Sequence, residues 1–185
     1  MLLALAGVTG VGKSYYKDRI VEKLGFEKIK ILTTRKPRKG EKNGIDKVFV
    51  TSKELQTLRD NGKIGFEFDL LEVTYAYTKE ELFSDKNMVF ELHYDTIYDF
   101  KKVCPHMKVL YLFPKDIETA KAKTRMRHLE SEVERKRLLE IDEHYERITT
   151  DENLRKQFDY ILYNNYDEAS EKEIIDLVLK LIKEQ

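Results

Sequence analysis

Two patterns of apolar residues alternate along the chain, and each predicts a different kind of element. Short continuous apolar runs such as Leu2–Ala6 are typical of parallel strands that are buried on both faces. Segments with apolar residues three or four positions apart, such as Glu171–Ile182, predict amphipathic helices. Because the two kinds of segment alternate, we predict an α/β fold with a three-layer core, in which helices cover both faces of a parallel sheet.

The remaining elements follow from the same two patterns. Further strands are predicted at Lys28–Leu32, Val48–Val50, Met88–Leu92, Lys108–Phe113 and Asp159–Tyr163. Further helices are predicted at Lys13–Lys23, between the capping-box pattern Thr51-x-x-Glu54 and Gly62, between residues 92 and 108, and over Ile117–Arg147 with a break around His128–Ser131.

Two segments interrupt the alternation of strands and helices. The first covers about residues 33–77 and includes Ile64–Tyr77, whose alternating aromatic residues predict an antiparallel hairpin. The second is the densely charged stretch at about residues 117–140. Since neither segment has the pattern of a parallel core, we expect each to form a small lobe beside it.

Composition narrows the classes of protein to consider. The 185 residues include 34 Lys and Arg and 34 Asp and Glu, so the formal net charge is zero, whereas nucleic-acid binders are usually strongly basic. The single Cys104 cannot form an internal disulfide, and no apolar run approaches the roughly 18 residues of a membrane helix. We therefore expect a cytoplasmic protein, monomeric or homodimeric, that binds neither nucleic acid nor membranes.

The first chemical motif lies between the first predicted strand and helix. Residues 7–14 read Gly-Val-Thr-Gly-Val-Gly-Lys-Ser and fit the pattern G-x-x-x-x-G-K-[ST]. Glycines let the backbone curl so that its N–H groups point at phosphate oxygens; Lys13 adds positive charge, and Ser14 offers a hydroxyl to Mg²⁺. A glycine-rich turn that binds nothing is the alternative. We predict an ATP site with Mg²⁺, formed by Gly7, Gly10, Val11, Gly12, Lys13 and Ser14.

A second candidate anion site lies in the cationic loop 33–41. Arg35 and Arg38 are three positions apart, with Pro37 between them to stiffen the loop. Two guanidinium groups held in this way could clamp one phosphate. The alternative is a solvated basic loop, which is the commoner origin of such a run.

Residues 33–46 also carry a longer pattern, T-T-R-x-P-R-x-G-E-x-N-G-x-D. It resembles the T-T-R-x-P-R-x-G-E-x-N-G-x-D-Y signature of guanylate kinases, and the resemblance covers almost the whole chain. It implies a P-loop kinase core at about 1–30, 80–116 and 141–185, an acceptor-binding lobe at about 31–79 and a mobile lid at about 117–140. The reaction implied is ATP + GMP = ADP + GDP, with Mg²⁺.

The resemblance also implies which residues contact the acceptor phosphate. Arg35 and Arg38 would hold it, and both would be catalytic together with Lys13. Tyr75 resembles a tyrosine that hydrogen-bonds the same phosphate. Lys47 stands where the signature ends in tyrosine, and a lysine there would supply a point charge.

Other residues would read the bases or close over the reaction. Glu67 resembles the glutamate that reads guanine, although the alignment needs a one-residue gap there; Glu72 is a weaker candidate, and Glu91 keeps a second carboxylate. Among residues of the lid and the closing loop, Arg127 and Arg137 would be catalytic, Lys123 and Arg125 would be further cations, and Asn164 would lie beside the adenine.

Several positions depart from the family pattern and leave alternatives open. Ile31 replaces a serine, Tyr77 a small polar residue and His93 an aspartate. These changes affect the base pocket more than the phosphate sites. The protein could therefore phosphorylate GMP or dGMP, phosphorylate another monophosphate, or be a binding module without catalysis. The complete P-loop motif argues against the binding module.

Overall fold

The structure, a computed structural model, describes the chain except for residues 38–39, 45–46, 71–72, 127–130 and 185. The predicted site residues Arg38, Glu72 and Arg127 lie outside the described residues, so their roles stay predictions. In chain order the strands are β1 Leu2–Gly7, β2 Glu27–Lys28, β3 Leu32–Thr33, β4 Val48–Phe49, β5 Ile64–Leu70, β6 Val73–Thr78, β7 Met88–Glu91, β8 Lys108–Pro114 and β9 Tyr160–Asn164. The α-helices are α1 Lys13–Leu24, α2 Ser52–Asp60, α3 Lys79–Leu82, α4 Ile97–Val103, α5 Ile117–Arg125, α6 Ser131–Thr150, α7 Glu152–Arg155 and α8 Glu168–Lys183, with a 3₁₀-helix at Tyr94–Thr96.

The core is a parallel sheet with the strand order β2-β7-β1-β8-β9. All six residues of the central strand β1 are buried, as expected of a strand that packs on both faces. Its side chains alternate between two apolar clusters, with Leu2 and Ala4 in one and Leu3 and Leu5 in the other. The predicted α/β fold is confirmed.

A second, smaller sheet has the order β4-β3-β6-β5 and lies within residues 32–78. The antiparallel hairpin β5–β6 and the capping box at the start of α2 match their predictions: Thr51 accepts from the Glu54 N–H, and the Thr51 N–H donates to the Glu54 carboxylate at 2.7 Å. The single strand predicted at Lys28–Leu32 is wrong. Its first residue extends the core sheet and its last pairs in the smaller sheet, because the chain passes from one sheet to the other there.

Helices α5 and α6 flank residues 127–130, near the predicted break. α5 begins at an N-cap, where the Asp116 carboxylate accepts a hydrogen bond from the Thr119 N–H at 2.6 Å. α6 is anchored to the core by Ile141, His144 and Ile148, which are all buried. Within the described ranges, no helix combines the length and the apolar character needed to cross a bilayer.

Candidate active site

The P-loop motif forms a tight turn between β1 and α1 that only glycine can make. Gly10 and Gly12 have φ angles of 86° and 96°, in the left-handed region that disfavours side chains. A Cβ on Gly10 would lie 2.3 Å from the Ala120 carbonyl oxygen, and one on Gly7 would lie 2.6 Å from the Leu112 carbonyl oxygen. The loop therefore packs so closely against β8 and α5 that neither position has room for a side chain.

The cation and hydroxyl of the motif lie at the N-terminus of α1. The Lys13 ammonium donates to the carbonyl oxygens of Gly7 and Val8 at 2.7 and 3.0 Å, so its side chain folds back across the loop. The Ser14 side chain lies near the carboxylate of Glu91 and helps to lower the pKa of that group. Of the residues predicted to bind ATP, all but Val11, which is buried, line one cleft.

Glu91 ends β7 and lies between the P-loop and the acceptor side of this cleft. Its carboxylate accepts from the Lys17 ammonium at 2.6 Å. Burial acts to raise the pKa of Glu91, but the charges of Lys17 and Lys13 outweigh it and hold the pKa below its usual range. This anion beside Ser14 favours a role at the phosphates over the base-reading role that the resemblance implied.

Three residues predicted to hold the acceptor phosphate lie together across the cleft. The Arg35 guanidinium makes a bidentate pair with the Glu41 carboxylate at 2.6 and 2.7 Å, and Tyr75 lies within electrostatic range of it. The Lys47 ammonium lies 5.3 Å from the centre of the Tyr75 ring. Buried Nε of Arg35 has no hydrogen-bond partner within the described part of the chain. Such an orphaned donor is unusual, and a bound phosphate oxygen would satisfy it.

The electrostatics of this cluster depend on burial. Desolvation lowers the pKa of Lys47, the nearby Glu91 acts to raise it, and the charges of Arg35 and Lys17 add to the lowering. The hydrogen bond to Glu41 raises the pKa of Arg35, so that guanidinium stays charged. Lys47 is therefore a cation that is destabilised until an anion binds beside it.

Glu67 is not among the residues that line the cleft, so its role as a guanine reader stays a prediction. Side chains alternate across β5, so Phe68 and Leu70 face the cleft while Glu67 faces α2. There its carboxylate pairs with Nε of Arg59 at 2.9 and 3.0 Å. The alignment needed a one-residue gap at this point, and a shift of one residue in a strand exchanges its two faces.

The predicted lid contributes one face of α6 and part of α5. Four residues at helical spacing line the cleft from α6: Val133, Arg137, Glu140 and His144. Arg137 donates to the Glu140 carboxylate at 2.5 Å, and Lys123 of α5 lies 5.6 Å from the ring centre of Tyr166. Arg125 is exposed and does not line the cleft, because it lies on another face of α5.

Asn164 lies at the P-loop, where its amide is engaged by protein groups. It is 1% exposed, and its Nδ2 donates to the Val11 carbonyl oxygen at 2.8 Å. Its Oδ1 accepts from the Tyr16 hydroxyl at 2.6 Å and from the Tyr166 N–H at 2.7 Å. The amide is thus directed at protein groups, and a place beside the adenine stays a prediction.

Comparison with known proteins agrees with the site. The family model for guanylate kinase matches residues 1–180. The chain belongs to the guanylate kinase family. It is 35% identical over 138 residues to the guanylate kinase of Lactobacillus delbrueckii subsp. bulgaricus, covering 71% of this chain and 68% of that one. It is 29% identical to the guanylate kinase of Lactobacillus acidophilus over an alignment of 200 residues, covering 100% of this chain and 97% of that one.

Solved structures place the fold among kinases more broadly. The guanylate kinase of Anaplasma phagocytophilum superposes with a TM-score of 0.72 at 20% identity, covering 97% of this chain and 85% of that one. The shikimate kinase of Bacteroides thetaiotaomicron superposes with a TM-score of 0.53 at 15% identity, covering 99% of this chain and 98% of that one. The fold alone therefore does not determine which acceptor is used, and the identity of the acceptor has to be inferred from the site residues.

The structure adds residues to this guanylate kinase family site that the sequence reasoning missed. Lys17 and Glu41 pair with two predicted site residues, and Glu140 pairs with a third. Lys17 follows Lys13 by four positions on α1, a spacing that could have revealed it. Nothing local in the sequence signals Tyr166, because its contact with the P-loop depends on the tertiary fold.

Proposed function

We propose that this member of the guanylate kinase family transfers a phosphoryl group from ATP to GMP or dGMP, giving ADP and GDP or dGDP. The observation that carries the proposal is a single cleft of about 1590 Å³ that is lined by both anion sites. Lys13 and Ser14 lie on one side of it, and Arg35 and Lys47 lie on the other. Glu91 connects the two sides, since its carboxylate pairs with Lys17 of α1 at 2.6 Å and lies within electrostatic range of Lys47.

The donor side requires charge neutralisation and orientation more than covalent chemistry. Backbone N–H groups of the P-loop and the N-terminus of α1 would bind the β- and γ-phosphates. Lys13 would leave the carbonyl oxygens of Gly7 and Val8 and place its charge on the transferred group. A cation held in position before the reaction stabilises charge that develops in the transition state.

The acceptor side would hold a monophosphate between Arg35, Lys47 and Tyr75. Arg35 offers a rigid array of N–H donors, Lys47 a charge and Tyr75 a hydroxyl. No general base is needed, because the attacking phosphate oxygen is already ionised near neutral pH. The two sites hold the reactants together, which replaces a bimolecular encounter by an oriented one. Arg38, as a predicted second arginine, belongs to this site.

The α5–α6 region would complete the site when both nucleotides are bound. Arg137, now paired with Glu140, is the described lid cation on the cleft face of α6. We propose that it turns to the transferred phosphoryl group, with Arg127 as its predicted partner. Closure would also exclude water and so limit wasteful hydrolysis of ATP.

The residues at the P-loop fit Mg²⁺ as the metal partner of ATP. Ser14 and Glu91 both line the cleft and offer a hydroxyl and a carboxylate, and Mg²⁺ prefers such oxygen ligands. Among the described residues no cluster of three or more His, Cys, Asp or Glu could hold a metal alone. Mg²⁺ commonly takes one or two protein ligands and completes its shell with phosphates and water. When bound, it would neutralise charge on the phosphates of ATP.

The decisive experiment is ADP release from ATP and Mg²⁺, with GMP, dGMP, AMP, CMP, UMP and dTMP offered separately. We expect turnover with GMP or dGMP, lost in Lys13→Ala and strongly reduced in Arg35→Met. Lys180→Ala, an exposed lysine of α8, is the matched control and should keep full activity. ATP binding with no turnover on any acceptor would overturn the proposal in favour of a binding module. Cytoplasmic location and a monomeric or homodimeric state stay predictions.

A different acceptor is the second candidate, and one observation favours it. Beside the charged residues Arg35 and Lys47, the lobe lines the cleft with the apolar and aromatic side chains of Ile31, Phe68 and Tyr77, while Glu67 is turned away. Turnover with a monophosphate other than GMP or dGMP would keep the mechanism and change the base.

A further inference from the structure

The last residue of β9 and the loop after it contact the P-loop through two side chains that the sequence did not connect with phosphate binding. Asn164 donates from Nδ2 to the Val11 carbonyl oxygen at 2.8 Å. Tyr166 donates from its hydroxyl to the Gly10 carbonyl oxygen at 3.3 Å. We call these two residues the loop clamp. Both of the carbonyl groups that they hold belong to the phosphate-binding turn.

Holding a carbonyl group also fixes the N–H on the other side of the same peptide. The described peptide bonds are trans, so the Val11 carbonyl and the Gly12 N–H point in opposite directions from one plane. When Asn164 holds that carbonyl, the Gly12 N–H is directed away from Asn164, to the opposite side of the peptide, where a phosphate oxygen would bind. The contact is close, since a Cβ on Gly12 would lie 3.1 Å from Nδ2 of Asn164.

The amide of Asn164 has little capacity left for a base. Its Oδ1 already accepts from Tyr16 and from the N–H of Tyr166, and the residue is 1% exposed. Tyr16 lies on α1, so Asn164 joins the turn, the helix that follows it and the loop after β9. Buried side-chain networks of this kind fix a geometry when every member is satisfied.

Tyr166 holds an unusual backbone conformation to make its contact. Its φ of 60° lies in the left-handed region, which is unfavourable for a bulky side chain. Residues persist in such conformations where the surroundings determine them, and they cluster at ligand clamps. Burial raises the pKa of Tyr166 to about 12, so its hydroxyl keeps its proton and remains a donor.

We propose that Asn164 and Tyr166 are positioning residues for the triphosphate and do not read the donor base. Asn164 orients the Gly12 N–H, whereas Tyr166 holds the shape of the turn through the Gly10–Val11 peptide, whose N–H donates to the Val8 carbonyl oxygen at 3.3 Å. This inference rests on the proposed function only in taking a nucleoside triphosphate as the donor. It implies that the clamp contributes to the binding of any ligand with the same phosphates, whether or not it carries adenine.

The test measures binding of a fluorescent ATP analogue with Mg²⁺, and its displacement by inorganic tripolyphosphate, which has the phosphates but no base. Tyr166→Phe removes one hydrogen bond and keeps the ring, and we expect both ligands to bind about threefold to tenfold more weakly. Asn164→Asp keeps the acceptor oxygen and removes the N–H donor, and we expect both ligands to bind about tenfold more weakly, or more weakly still. GMP affinity should stay within about twofold, which a general loss of structure would not allow.

Tyr163→Phe is the matched control, because Tyr163 lies next to Asn164 on β9 and is 60% exposed. This variant should bind all three ligands as the wild type does. Weaker binding of the ATP analogue alone, with tripolyphosphate unchanged, would overturn the inference and make the pair base readers. Unchanged binding of both ligands in Tyr166→Phe would also overturn it. If Asn164→Asp does not fold, Tyr16→Phe replaces it, and the same two outcomes decide. No variant needs turnover, so failure of the wild type to phosphorylate GMP would overturn the proposed function alone.

Discussion

The two sides of the cleft differ in how much buried apolar structure lies beneath them. The P-loop follows β1, a fully buried strand at the centre of a five-stranded sheet with an apolar cluster on each face. The residues proposed to hold the acceptor phosphate, Arg35, Lys47 and Tyr75, lie on or next to the strands of the smaller sheet. In that sheet β3 and β4 have two residues each. Its own apolar cluster contains three buried residues: Leu32, Leu55 and Ala76. Local stability follows buried apolar contact, so the acceptor side is the part that can open while the donor side stays formed.

A few aromatic rings tie the acceptor lobe to the core. Tyr77 is 1% exposed, and its ring centre lies 5.4 Å from that of Phe90 and 5.2 Å from that of Phe100. Phe66 lies 4.5 Å from Phe100 by the same measure. Edge-to-face and tilted pairs of this kind add to the energy of simple burial. The tyrosine that departs from the family pattern therefore has a packing role at the junction of lobe and core.

The largest expected effect is at the donor side, in Lys13→Ala. Removing a positioned cation from the transferred phosphoryl group costs about 3–4 kcal/mol in the transition state, so we expect kcat to fall by roughly 10² to 10³. ADP release at saturating GMP measures it. Lys180→Ala should be unchanged, and a fall of less than about fivefold for Lys13→Ala would show that the P-loop is not the reacting site.

The next largest effect is expected from two core truncations, Leu110→Ala beneath the donor side and Leu55→Ala beneath the acceptor side. Both side chains are fully buried, at 0% and 1% exposure, and such truncations cost about 2–5 kcal/mol. In β8, Leu110→Ala should lower the free energy of global unfolding in urea. In α2, Leu55→Ala should mainly increase amide exchange across residues 48–70 and 73–78. Equal increases of exchange in β1 and β8 for Leu55→Ala would show that lobe and core open as one unit.

The difference between the sides also explains what the sequence could predict. The P-loop is a local motif: its glycines, its lysine and its buried strand are consecutive, so their positions follow from the sequence. The hairpin and the capping box at Thr51 are local for the same reason. These elements required no knowledge of which residues would meet from distant parts of the chain.

Faces and partners were harder to predict because they depend on tertiary contacts. Glu67 precedes Phe68, which lines the cleft, and neighbouring side chains of a strand lie on opposite faces. Neither composition nor a motif shows which face of the strand Glu67 occupies. Asn164 was placed near ATP by resemblance, but its amide is used within the protein, and Tyr16 and Tyr166 gave no sign of joining it. Arg35 was predicted as a phosphate ligand, while its bidentate partner Glu41 was not.

A smaller effect is expected from pH, at Lys47. Because burial lowers the pKa of Lys47, the side chain loses its charge at a lower pH than an ordinary lysine. Binding of the GMP phosphate needs the charged form, so the KM for GMP should rise by up to roughly tenfold as the pH increases from about 7.5 to 10. In Lys47→Arg the guanidinium stays charged over this range, and the rise should be reduced.

The charged groups around Lys47 define the control for this pH profile. Glu91, Arg35, Lys17 and Glu41 all lie within electrostatic range of it. The pKa of Glu91 is lowered by nearby lysines and that of Arg35 is raised by its bond to Glu41, so both keep their charge through the alkaline range. The KM for ATP should vary less with pH than the KM for GMP. An equal rise of the GMP constant in wild type and Lys47→Arg would assign the titration to another group.

The smallest effect is expected from Glu67→Gln, which asks whether the lobe reads guanine from the face that the structure shows. Glu67 and Arg59 form a half-exposed pair on the α2 side of the hairpin, with 35% of each side chain exposed. Pairs of this kind contribute about 0–1 kcal/mol, so stability should change little, and both kcat and the KM for GMP should stay within about twofold. Arg59→Gln is the matched variant and should behave in the same way, since it breaks the same pair. A loss of tenfold or more with GMP in Glu67→Gln alone, with ATP binding unchanged, would instead mean that Glu67 reaches the acceptor base. The hairpin would then have to exchange its faces when the nucleotide binds, and the thin support of the lobe would be what permits it.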